Sequence, residues 1–171
     1  MAADPQAPTL HQRIQRLEDI EAIKRLKADY ADACDRGYDA AAYAALFTED
    51  GVWESNVYGT YKGREAIFKF MDGADRATPW IVHFITNARI DVDGDTATAT
   101  FYLLETARVT DGFSAPDGDA VLATAKYVDQ FVRIDGRWYF QHVNARWHQV
   151  SNLDQGWIKQ RFRSEATSWD Q

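Results

Sequence analysis

From Trp80 onward the chain repeats with a period of two, and this constrains its fold more than any other feature. Thr96, Thr98 and Thr100 alternate with Ala97, Ala99, Phe101 and Leu103, the pattern of a strand with one polar and one apolar face. Runs of the same kind extend over Trp80 to Val92, Thr96 to Val109, Val121 to Ile134 and Arg137 to Gln149. Asp93-Gly94-Asp95 and Asp135-Gly136 separate them as tight turns, so the first two and the last two runs read as hairpins. The turn-rich stretch from Thr110 to Ala120 reads as a longer hairpin loop near a pocket mouth.

The first half follows a different period. Leu10, Ile14, Leu17, Ile20, Ile23, Leu26 and Tyr30 recur at spacings of three and four, which predicts one amphipathic helix from about Thr9 to Asp35. Gly37 is a stop signal, and Asp39 caps a second helix reaching Phe47. Gly51 to Trp53 and Val57 to Tyr61 read as short strands. A third helix carries Ile67, Phe68 and Phe70 and ends at Asp72-Gly73, while Leu153 to Phe162 reads as a last helix that covers something. Three helices ahead of a curved antiparallel sheet predict an α+β fold, with the helices on one face of the sheet and a conical cavity between the layers. A length of 171 residues without a linker-like stretch is read as one domain spanning residues 1–171, with 1–8 and 164–171 as flexible tails.

Charge and motif content narrow the function. A net charge of −7 excludes a nucleic-acid footprint and an anionic membrane surface as partners. No apolar run approaches the ~20 residues of a membrane span, and the first residues lack a signal-peptide core, so the chain is read as cytoplasmic. Cys34 is the single cysteine. There is no CxxC, HExxH, P-loop, GxGxxG or nucleophile elbow, so neither a metal nor a cofactor is expected. Acid/base chemistry in an apolar cavity remains.

Few residues offer such chemistry. Period-two geometry puts Glu105 on the same face as Ala97, Ala99, Phe101 and Leu103, where burial raises a carboxyl pKa; the competing reading is a solvated carboxylate at the sheet rim. His83 is an ionisable ring in an otherwise apolar strand, either a general acid or base or a hydrogen-bonded core residue. Tyr30 brings a phenol to whatever the helix stripe faces, as a site group or as packing. Asp35 either orients a neighbour or ends the helix. Arg146, in the final strand, is costly to bury without an acidic or substrate partner. Asp129 and Arg133 share a strand face, and are read as a structural pair or as facing solvent. The aromatic share of 13%, with six Trp, supplies either core or pocket walls; Trp53, Tyr58, Phe84, Phe101, Tyr127 and Trp147 are the candidate wall and substrate-binding residues.

Taken in order, the segments Asp19–Asp39, Leu46–Glu54, Tyr61–Ile67, His83–Glu105 and Lys126–Phe140 resemble the SnoaL-like branch of the nuclear-transport-factor-2-like superfamily, over nearly all of Leu17 to Trp147. The site pattern is most similar to bile acid 7α-dehydratases and scytalone dehydratase: Tyr30, Asp35, His83, Glu105 and Arg146 match their helix tyrosine, nearby aspartate, strand histidine, inward carboxylate and late arginine. Glu105 stands where that pattern has Asp, and aligning Arg146 requires a one-residue gap. The resemblance implies a cone-shaped barrel with a curved, mostly antiparallel sheet. It also implies a cofactor-independent lyase that eliminates water or a comparable group from a hydrophobic, ring-containing or aromatic alcohol. Carbon–carbon cleavage releasing formaldehyde or another small aldehyde from an aromatic diol, ketosteroid-isomerase-like proton transfer and non-catalytic binding are the alternatives, since this fold hosts all of them. Relatives of the fold commonly assemble, so a homo-oligomer, trimer or dimer, is expected.

Overall fold

The computed structural model describes residues 8–163; the tails expected at 1–8 and 164–171 lie outside the described residues except for Pro8. The first helix, α1 (Leu10–Asp35), starts where Thr9 and Gln12 form a capping box, Thr9 Oγ1 accepting from the Gln12 amide at 3.2 Å and Gln12 Oε1 accepting from the Thr9 amide at 2.8 Å. It stops where Gly37 and Tyr38 take φ of 85° and 58°. Only its second half follows the expected apolar stripe into the core. Ile23, Leu26 and Tyr30 are buried, whereas Leu10, Ile14 and Leu17 are exposed.

Asp39 caps α2 (Ala40–Ala45) by accepting from the Ala42 amide. This helix is shorter than the sequence suggests, because Phe47 already belongs to β1 (Phe47–Ser55), which pairs with β6 (Arg137–Asn152). After β2 (Gly59–Lys62) and α3 (Arg64–Met71), a 3-10 turn at Ala74–Arg76 adds an element the periodicity did not reveal. Then come β3 (Trp80–Asp93), β4 (Thr96–Val109), β5 (Asp119–Ile134) and β6, followed by α4 (Gly156–Lys159), which is one turn rather than a helix over Leu153 to Phe162.

The six strands form one sheet in the order β2-β1-β6-β5-β4-β3; only the β1–β6 pair is parallel. The sheet is curved and unclosed, so the expected cone is open along one side. The Asp135-Gly136 turn has φ of 50° and 77°, as the tight hairpin turn of this twist requires. Irregularities in register sharpen the curvature: between β5 and β6 they fall at Thr124/Ala125 and Gln130/Phe131, and between β3 and β4 they fall after Thr86, where Asn87 has φ of 53°. In β3 that extra residue shifts the phase of the strand. Ile81 and Ile85 face the core before it, and Ile90 and Val92 after it.

The core lies between α1–α3 and the concave side of the sheet. Phe47, Phe131 and Phe140 interlock with ring centroids 5.3 and 5.0 Å apart. Two readings of the sequence need correcting here. Phe101, expected in a pocket wall, is in this core: its ring lies 5.4 Å from Lys27 Nζ and stops short of the cavity, which the longer Tyr127 opposite it in the register does reach. Asp129 and Arg133 do not pair: Asp129 is fully buried against Lys27, and Arg133 reaches out to Asp19 at 2.6 Å and Asp95 at 2.8 Å.

Candidate active site

The wide end of the cone holds a cavity of about 440 Å³. Tyr30 and Cys34 reach it from α1, Trp53 from β1, Met71 and Phe70 from α3, Ile81 and His83 from β3, Glu105 from β4, Tyr127 from β5 and Trp147 from β6. These side chains converge because each lies at an inward position of its strand or on the buried face of its helix. Alternation along β4 holds without interruption from Ala97 to Ala107, so Glu105 points inward as its period predicts and is only 8% exposed.

The chemistry is concentrated where β3 and β4 pair. His83 is directly opposite Glu105 in the register, so both side chains leave the same face side by side. Asp35, at the last residue of α1, meets His83 from the other side. Its Oδ1 is 2.6 Å from His83 Nδ1, and both its oxygens are 3.2 Å from the His83 backbone nitrogen. A carboxylate only accepts hydrogen bonds, so Nδ1 carries a proton; in the neutral ring Nε2 then presents its lone pair. Nε2 lies 3.4 Å from Glu105 Oε2, within ion-pair reach but longer than an ordinary hydrogen bond. The three groups form the line Asp35–His83–Glu105, with the two ring nitrogens facing different carboxyls.

Burial acts on the ionisation of Glu105. Desolvation raises the Glu105 pKa, and the Asp35 carboxylate pushes it in the same direction against the opposing pull of His83. Burial thus favours the protonated form of Glu105. Burial likewise pushes up the Tyr30 phenol and the Cys34 thiol, which stay neutral. The Tyr30 hydroxyl accepts a hydrogen bond from Trp53 Nε1 at 2.9 Å, which fixes the ring and leaves its own proton to donate. Among the described residues no group of three or more His, Cys, Asp or Glu is arranged to hold a metal ion.

Seven of the eleven residues singled out from the sequence line the cavity: Tyr30, His83, Glu105, Trp53, Tyr58, Tyr127 and Trp147. Asp35 is outside the lining and acts on it through His83. Two more are corrections. Phe84 is 49% exposed on the convex face, because it follows His83 and alternation turns it outward. Arg146 is exposed on that same face, opposite Lys126, since its neighbour Trp147 takes the inward position. No cationic side chain from β6 enters the site.

Other lining residues were not anticipated. Tyr38 follows the glycine that ends α1, with a positive φ of 58° that a tyrosine seldom adopts. At the mouth, Asp111 and Phe113 come from the β4–β5 loop, whose position near a pocket mouth the sequence did suggest, and Phe162 and Arg163 come from the segment after α4. Arg163 ties these two segments together. Its guanidinium is 2.9 Å from Asp111 and from Asp119, and it donates to Ser114 Oγ and Asn152 Oδ1, with only 6% of the side chain exposed. Burial alone would raise the Asp111 and Asp119 carboxyls, but the hydrogen bonds and charge of Arg163 hold both below the ordinary range.

Comparison with known proteins fits this geometry. The profile of the SnoaL-like domain matches residues 15–144. Over 138 residues the chain is 28% identical to gamma-hexachlorocyclohexane dehydrochlorinase of Sphingobium indicum, covering 77% of this chain and 82% of that protein. The crystal structure of LinA superposes with a TM-score of 0.74 at 25% identity, covering 82% of this chain and 93% of that one. A scytalone dehydratase-like protein of Novosphingobium aromaticivorans superposes with a TM-score of 0.71 at 26% identity, covering 81% and 89%.

Proposed function

Because the chain belongs to the SnoaL-like domain family of the nuclear-transport-factor-2-like superfamily, we propose that its cavity is the active site of a cofactor-independent lyase. In this reading it eliminates water or a comparable small group from a hydrophobic, ring-containing alcohol. The observation that carries the reading is the line of Asp35, His83 and Glu105, with contacts of 2.6 and 3.4 Å, at the edge of an aromatic-walled cavity. The dehydrochlorinase relatives support the same class of chemistry, in which a proton and a leaving group depart from neighbouring carbons.

His83 Nε2 takes the proton from carbon, and the electron pair of that C–H bond becomes the new double bond as the leaving group departs with its own pair. Asp35 holds the imidazole in the base-competent tautomer and balances the charge of the imidazolium that forms. Glu105, whose protonated form burial favours, supplies a proton to a departing hydroxyl so that it leaves as water. Tyr30 donates a hydrogen bond to the oxygen on which charge develops. The walls formed by Trp53, Phe70, Tyr58 and Trp147 exclude water and offer flat faces to a ring.

The test is incubation with a panel of ring-bearing alcohols, aromatic diols and γ-hexachlorocyclohexane, read by mass spectrometry and chloride release. Loss of one water from an alcohol, abolished by His83→Gln and strongly reduced by Tyr30→Phe, supports the reading. Release of a trappable aldehyde from a diol assigns the same base to carbon–carbon cleavage instead, and deuterium uptake without loss of mass assigns it to isomerisation. Full activity of both variants on a confirmed substrate refutes the mechanism.

A further inference from the structure

The proposed mechanism leaves a buried lysine–aspartate pair unused. Lys27 and Asp129 are 1% and 0% exposed, with Nζ 2.8 Å from Oδ2. Sequence offers no reason for the pair to be there, and packing alone does not require it, since apolar residues of similar volume usually serve a core as well or better. Its surroundings are specific. The ammonium is 3.3 Å from the ring centroid of Tyr127 and 4.3 Å from that of Tyr30, with Phe101 and Phe140 at 5.4 and 5.5 Å. Tyr127 and Tyr30 are both part of the cavity wall. Each of these phenols thus lies against the Lys27 amine and also lines the cavity.

A cation on the face of an aromatic ring is attracted by the ring's negative quadrupole, all the more where water is excluded. Drawing π density from a phenol strengthens its O–H as a hydrogen-bond donor. The contact also fixes the ring planes: Tyr30 and Tyr127 meet edge to face at 5.8 Å, Tyr30 packs on Tyr43 at 4.7 Å, and the Tyr30 hydroxyl is held by Trp53.

We propose that Lys27 is a positioning residue for Tyr30: tethered by Asp129, its ammonium lies against the Tyr30 and Tyr127 rings, orients them, and makes the Tyr30 hydroxyl a stronger donor into the cavity. This rests on the reading of Tyr30 as the group that stabilises developing charge. The competing view is that Lys27 and Asp129 only hold core elements together.

The experiment uses the double variant Lys27→Met/Asp129→Leu, because Lys27→Met alone strands a buried carboxylate and can unfold the chain. Protein labelled with 13Cζ-tyrosine is examined without any ligand, with Tyr30 and Tyr127 assigned from their Phe variants and Tyr61 as an internal reference. The expected result is a folded protein in which the Tyr30 and Tyr127 resonances move while Tyr61 stays. Turnover of the panel compound that wild type consumes fastest should fall roughly tenfold in kcat, less than the ~10²–10³-fold that loss of a direct donor brings. KM should change little, and the loss should vanish in a Tyr30→Phe background. Unmoved Tyr30 and Tyr127 resonances in a folded variant, or a kcat loss undiminished by Tyr30→Phe, overturn the role of Lys27. If the double variant does not fold, Asp129→Asn, which keeps the amine but loosens its tether, is read by the same criteria. The spectrum needs no substrate, so its failure removes this role while leaving the lyase reading intact; an active His83→Gln variant does the reverse.

Discussion

Asp35→Asn is the substitution that bears most directly on the chemistry. The carboxylate accepts from His83 Nδ1 at 2.6 Å and from the His83 amide at 3.2 Å, and so fixes both the tautomer and the position of the strand residue that carries the ring. Asparagine offers one acceptor oxygen and one NH2 group. If its oxygen serves the backbone amide, its NH2 faces Nδ1 and selects the tautomer with the proton on Nε2, which leaves no lone pair directed at the substrate. The counter-charge for the imidazolium is lost at the same time. Together these losses are worth about 4–5 kcal/mol of transition-state stabilisation, or a fall in kcat of ~10³–10⁴-fold. KM should stay close to wild type, because Asp35 does not line the cavity. Initial rates on the substrate identified from the panel provide the measurement, and long-range 1H–15N spectra of the imidazole read the tautomer independently. A kcat within tenfold of wild type, or a wild-type His83 protonated on Nε2 alone, would falsify the assigned division of labour.

Three further outcomes follow from the same geometry. Burial raises the Glu105 pKa above its ordinary 4.5, so the stability this group contributes is present below that value and is lost as pH rises through the folded pKa; thermal melts of Glu105→Gln should therefore exceed wild type increasingly above pH 4.5, and an unchanged difference across pH contradicts the burial argument. Arg163→Gln releases the two segments at the mouth, and is expected to raise KM several-fold with little change in kcat. Because Asp111 and Asp119 are held below the ordinary range, the wild-type latch contributes stability at neutral pH and loses it as pH falls through their lowered values; acid melts of the two proteins should converge. The homo-oligomer expected from the sequence has a candidate face in Phe84, Tyr102, Leu104 and Val128, each between 42% and 49% exposed on the convex side of the sheet. Leu104→Arg should lower the mass seen in sedimentation velocity, and an unchanged mass removes this face from consideration.

What the sequence revealed, and what it did not, divides along physical lines. The inward face of Glu105 was legible because β4 alternates without a bulge, though its burial against solvation at the rim was left open, and the tight turns were legible because Asp-Gly pairs tolerate positive φ. The same parity could have excluded Phe84 and Arg146: each adjoins an inward residue, His83 or Trp147, and neighbours on a strand cannot share a face. Parity gave the face of Phe101 correctly but not its reach, since Tyr127 opposite it touches the cavity and Phe101 does not. Lys27 was invisible, because a lysine on an amphipathic helix reads as surface until the opposing strand is known to carry Asp129. Arg163 was beyond reach for a related reason. Its partners Asp111, Ser114 and Asp119 lie far from it in the chain, and no local pattern joins them.

The irregularity at Asn87 has a bearing on how this site can change over evolutionary time. A strand without it would have a single phase from end to end, and a one-residue slip at the Asp93–Thr96 hairpin would rotate His83 out of the cavity. With the extra residue, the segment carrying Ile81, His83 and Ile85 and the segment carrying Ile90 and Val92 are set independently. Insertions near the hairpin can be absorbed at the bulge, leaving the histidine in place. Deletion of one residue at Asn87–Ala88, by contrast, forces one half of the strand to present its solvent face to the interior. The facing of each half is thus tied to the single extra residue between them.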